Sequence, residues 1–78
     1  MPLFFFDTDD GRSFIRDEAG CEASDPQVAR HLALEAIVGI ANDQPPLHNH
    51  CVYTVDVRDE AGKRVFHAKV EVAGEWSS

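Results

Sequence analysis

The sequence predicts an α+β domain of ββαββ type: a four-stranded, mainly antiparallel sheet with one amphipathic helix packed on one face. Three observations carry this expectation. An aromatic run, Leu3-Phe4-Phe5-Phe6, opens the chain; apolar residues recur at spacings of three and four between Val28 and Ala41; and two alternating runs near the end flank a glycine-closed turn.

Taken in order, aromatic enrichment over so few residues favours a strand over residues 3–7. Asp9, Asp10 and Gly11 supply a turn, since Asp and Gly tolerate unusual backbone angles, and residues 13–16 return as a second strand. Asp17-Glu18-Ala19-Gly20 ends that strand. Ser24 and Asp25 before Pro26 form a helix start, with either residue able to cap it: Ser24 with Gln27 fits a capping box, and Asp25 fits a proline at the first helical position.

Val28, Ala29, Leu32, Ala33, Ala36, Ile37, Ile40 and Ala41 then form one stripe, which predicts an amphipathic helix over residues 25–42. Asn42, Asp43 and Pro45-Pro46 stop it, because proline lacks an amide donor and disfavours helix in the residue before it. Residues 50–58 alternate, with Cys51, Tyr53, Val55 and Val57 opposed to Val52, Thr54, Asp56 and Arg58. Residues 63–72 repeat the pattern with Phe66, Ala68, Val70 and Val72 on one side, and the turn through Gly62 makes the two a hairpin. Residues 73–78 read as a flexible tail, with Trp76 its one large apolar side chain. Strand order stays open, because the connection through the helix admits several arrangements.

With 78 residues the chain holds one domain and one core. Chains below roughly 70 to 80 residues seldom build a strong core alone, so a homodimer is a natural expectation. Fourteen acidic against seven basic residues give a formal charge of −7, which repels phosphates and argues against nucleic acid as a ligand. The imbalance is sharpest in the first 25 residues, where seven acids face only Arg12 and Arg16, and a basic protein surface would be drawn there. No apolar run approaches the roughly 18 residues of a membrane span, and Leu3 to Phe6 is too short for a signal-peptide core; the expectation is a cytoplasmic chain with no membrane contact. Cys21 and Cys51 are then read as two reduced thiols.

Several groupings invite a chemical reading. Asp7, Asp9 and Glu18 imitate positions one, three and twelve of a calcium loop, but Arg12 stands where the loop's glycine belongs, so an acidic hairpin turn is preferred. His48, His50 and Cys51 are borderline-soft ligands in one short stretch, the best metal candidates in the chain, yet a structural site wants four ligands in paired clusters. Cys21 precedes the helix as a reactive thiol might, but Glu18, Glu22 and Asp25 disfavour its thiolate. Arg58, Lys63, Arg64 and Lys69 beside Phe66 form a small basic patch that Glu60 and Glu71 partly cancel. No phosphate loop or hydrolase motif occurs, so no catalytic residue and no cofactor are assigned and a non-enzyme is expected. One echo remains: Arg16-Asp17-Glu18-Ala19-Gly20 recurs as Arg58-Asp59-Glu60-Ala61-Gly62, each copy directly after a strand-like stretch.

The ordered set Phe4-Phe5-Phe6, Asp10-Gly11, Asp17-Glu18-Ala19-Gly20, Asp25 leading into Ala29-Arg30, and Val57-Arg58-Asp59-Glu60-Ala61-Gly62 resembles a family of short bacterial proteins catalogued as domain of unknown function 6894. The likeness spans about Leu3 to Val72. It implies no activity, cofactor or catalytic residue, and His48-Asn49-His50-Cys51 departs from it. Gly20-Cys21 followed by the Val28–Ala41 helix is also similar, as a fold analogy, to HicB-type antitoxins, although their usual proline before the glycine is Ala19 here. Three roles follow as expectations: a non-enzymatic protein-interaction or self-associating module, an antitoxin-like regulator of a small basic partner, or a metal-binding protein using His48, His50 and Cys51.

Overall fold

The computed structural model describes residues 2–43 and 49–77. Its elements are β1 (Leu3–Asp9), β2 (Phe14–Ile15), β3 (Cys21–Glu22), α1 (Pro26–Asp43), β4 (His50–Arg58) and β5 (Arg64–Ala73). The α+β class stands, with one antiparallel sheet in the order β2-β1-β4-β5 and β3 joined to β1 beside β2. No helix among the described residues is long and apolar enough to cross a membrane.

The strand count differs from expectation by one. β3 pairs Cys21 with Phe4 and Glu22 with Leu3, and two residues are too few to show any alternation in sequence. β1 runs two residues beyond position 7, because Thr8 and Asp9 are held on both sides, by Ile15 and Phe14 of β2 and by Val55 and Thr54 of β4. β2 is correspondingly shorter than residues 13–16. Ser13 belongs instead to the turn, where the Asp10 carboxylate accepts the amides of Arg12 and Ser13, and Gly11 takes a φ of 89°. Ala73 closes β5 instead of opening a tail, and the following Gly74 amide donates to the Asn49 carbonyl.

α1 begins at Pro26 and extends one residue past position 42. Between the two possible caps the structure selects Asp25, whose Oδ1 accepts the Gln27 amide at 2.8 Å and the Val28 amide at 3.1 Å. The helix lays Ala29, Ala33 and Ile37 onto the sheet, and the small alanines let its backbone approach closely. Tyr53, Val55 and Val57 of β4 meet them, fully buried, and Phe4 and Ala23 complete the core. Burial of this kind contributes roughly 1.5 to 3 kcal/mol per large side chain. The helix-facing row continues across β5 as Val70, Ala68 and Phe66, opposite Tyr53, Val55 and Val57.

The other sheet face is charged and self-paired. Asp56 binds Arg64 Nη1 at 3.2 Å and His67 Nδ1 at 2.6 Å, and Glu71 binds His50 Nε2 at 2.6 Å. α1, the single helix among the described residues, covers only the opposite side.

Candidate functional site

The metal candidates do not converge. His50 opens β4 on the charged face beside Glu71, whereas Cys51, the next residue, points to the helix side, where its thiol donates to the Asp10 carbonyl at 3.4 Å. Strand alternation separates them by construction. His48 lies outside the described residues. No three His, Cys, Asp or Glu side chains among the described residues are placed to hold an ion. The imitation calcium loop also dissolves, because Asp7 is spent on Arg58. Cys21 is exposed, and both cysteines are free thiols.

Instead the structure gathers a cluster that sequence reading did not assemble. Arg58 Nε donates to Asp7 Oδ2 at 2.6 Å, and Arg58 Nη2 donates to Asp7 Oδ1 and to the Asp17 carbonyl, each at 3.0 Å. The guanidinium also sits 5.0 Å over the Phe5 ring. This fork pins β1 to β4 and pulls the Asp17 corner against both. Asp17 works in two directions. Its Oδ2 accepts the Phe6 amide at 3.0 Å, and its Oδ1 accepts the amides of Ala19 and Gly20 at 3.1 Å each, while its own amide donates to Asp7 Oδ1. The carboxylate thereby stands in for a strand: it satisfies the outer edge of β1 in the gap between β2 and β3.

The electrostatics follow. Hydrogen bonding from Arg58 holds the Asp7 carboxyl below its ordinary pKa against the opposing effect of burial. For Asp17 burial is the largest single influence and acts upward, but the amides of Gly20, Phe6 and Ala19 together outweigh it and the net shift is downward. Both groups are therefore anions at neutral pH, and the Arg58 pKa moves up through the Asp7 bond. His50 lowers Glu71, and burial raises the Tyr53 hydroxyl, helped by the Cys51 thiol.

Around this cluster the two copies of the repeated pentapeptide come together. Arg16, Asp17 and Glu18 of the first copy and all five residues of the second line one groove of about 390 Å³ with Phe5. Each copy ends in a left-handed glycine, with φ of 74° at Gly20 and 85° at Gly62, and in each the Asp Oδ1 accepts amides of its own turn. The lining holds no Ser, Cys, His or Lys among the described residues, and its Arg58 is paired with Asp7. A wider groove of about 710 Å³ runs along the outer face of α1 beside Leu34 and Val38, where His31 and Glu35 pair at 2.6 Å. The basic patch is dispersed: Arg58 faces Asp7 and Arg64 faces Asp56.

The two borders of the sheet differ in kind. On the β1 side two-residue strands and Asp17 close the edge. On the other side β5 presents ten residues, Arg64–Ala73, and no strand among the described residues pairs with its outer edge. Such an edge offers a row of amide and carbonyl groups to another chain.

Fold and edge together define a small α+β module whose charged residues brace one corner and whose longest edge strand is open. The chain belongs to the family described as Domain of unknown function (DUF6894), whose model matches residues 3–71. No curated protein and no solved structure matches the chain.

Proposed function

We propose that this chain is a non-enzymatic interaction module of the cytoplasm that self-associates by adding a strand to the outer edge of β5. The open ten-residue edge carries the reading. Proteins ordinarily blunt such edges with short strands, prolines, bulges or charged side chains, lysine above all; the β1 border has short strands, whereas β5 contains no proline, its one irregularity lies at the hairpin end, near Val57/Arg58, and its Lys69 is matched two residues on by Glu71. Main-chain pairing supplies the affinity in this mode of recognition and side chains supply the selectivity. The pairing of Arg58 with Asp7 and the separation of His50 from Cys51 support a binding role over chemistry.

Sedimentation equilibrium tests it, with proline placed in turn at His67 and Ala68. Amides alternate in direction along a strand, so one substitution removes a bond to β4 and the other removes only an outward donor. The wild type should dimerise, and the outward variant should remain folded and monomeric. A wild type that sediments as a monomer at every concentration, or a folded outward variant that still dimerises, overturns the reading.

A further inference from the structure

We infer that the strand added to β5 is β5 of a second copy, antiparallel, in the one register that sets Val70 opposite Val70. This rests on the edge-pairing reading above and specifies it. A two-fold axis through an antiparallel strand pair stands perpendicular to the sheet and passes through a residue pair, so each possible centre fixes every other partner. Centring on Lys69 or Glu71 sets like charges directly opposite one another. Centring on Ala68 sets His67 against Lys69 twice. Centring on Val70 sets Lys69 opposite Glu71 twice on the charged face, while Ala68 meets Val72 twice on the helix side. Both α1 helices then lie on the same face of one continuous sheet.

Three local features fit this register. Pairing spans Phe66 to Gly74, and so it begins just past the hairpin-end irregularity, between residues opposite Val57 and Arg58. Phe66 falls opposite Gly74, where a ring covers a residue that has no side chain of its own. Trp76, 87% exposed and the only tryptophan, lies two residues beyond the paired span and serves as its fluorescent reporter. Glu71 already binds His50 and lies half-exposed, so a lysine ammonium can approach its carboxylate from the partner side.

The experiment is a charge exchange read by dimer affinity, with Trp76 fluorescence on dilution as a second signal. K69E alone and E71K alone each place two like-charged pairs across the interface, and each should weaken the dimer roughly tenfold. The double variant K69E/E71K restores opposite charges and should return to within roughly threefold of wild type. Melting of each variant at concentrations where it is monomeric separates interface effects from folding. A dimeric wild type with no rescue in the double variant overturns the register while leaving edge pairing intact; a monomeric wild type removes both.

Discussion

Asp17 and Asp59 occupy the same place in identical pentapeptides, so substituting each by alanine isolates what the structure adds to the first. Asp59 accepts the amides of Ala61 and Lys63, both in its own exposed turn. Asp17 accepts two amides of its own turn and also the Phe6 amide, eleven residues away in the gap that neither β2 nor β3 covers. Exposed turn amides rehydrate readily, so Asp59→Ala should cost about 1 kcal/mol. Asp17→Ala loses the same local bonds and leaves a part-buried strand amide without its acceptor, adding roughly 1 to 3 kcal/mol. The expected gap of about 2 kcal/mol corresponds to roughly 8 to 16 °C in Tm for a domain of this size. Urea titration of both variants with circular dichroism measures it, with the slope checked for two-state behaviour. Equal losses in the two variants would refute the idea that Asp17 substitutes for a strand.

Two further outcomes follow from the same corner. Asp7 and Asp17 have folded pKa values below their ordinary ones, so the stability they confer is fully present above the unfolded value, about 3.9, and drains as pH falls through the folded values; urea midpoints should hold from neutral pH to about 5 and drop below about 4, and D7N should flatten that drop. Gly20→Ala should destabilise more than Gly62→Ala: both need a left-handed residue, at roughly 1 to 2 kcal/mol, but a methyl at Gly20 meets Leu3 Cγ and Phe5 Cε1 at 3.0 Å and the Phe4 carbonyl at 3.1 Å, whereas at Gly62 nothing lies within 4 Å. Equal urea midpoints for the two alanine variants would contradict that packing.

Where a signal extends over many residues, the sequence carried it. The apolar stripe up to Ala41, buried at Ala29, Ala33 and Ile37 although its first member Val28 is exposed, and the opposed rows around Tyr53 and Phe66 announce helix and hairpin, since burial repeats with the period of each element. Cys21–Glu22 could not be read, because two residues have no period and pair only through what Leu3 and Phe4 offer. The Asp7–Arg58–Asp17 cluster was hidden for another reason: Asp7 and Arg58 stand 51 positions apart, and each looks locally like a strand-end charge. The repeated pentapeptide was the available clue, since both copies border the groove, but identity of sequence says nothing of proximity. His50 and Cys51 are adjacent in sequence but sit on opposite sides of the sheet, because neighbours in a strand face opposite ways.

The asymmetry of the two sheet borders bears on how far assembly can go. A carboxylate plugging the β1 flank leaves that side with two-residue fragments to offer a newcomer, so once the β5 flanks of two molecules meet, little continuous backbone remains at either extremity. In the proposed pair, growth by the same contact would stop at two molecules, and a ten-residue strand that no other described strand covers would be spared the filaments that open ladders otherwise seed.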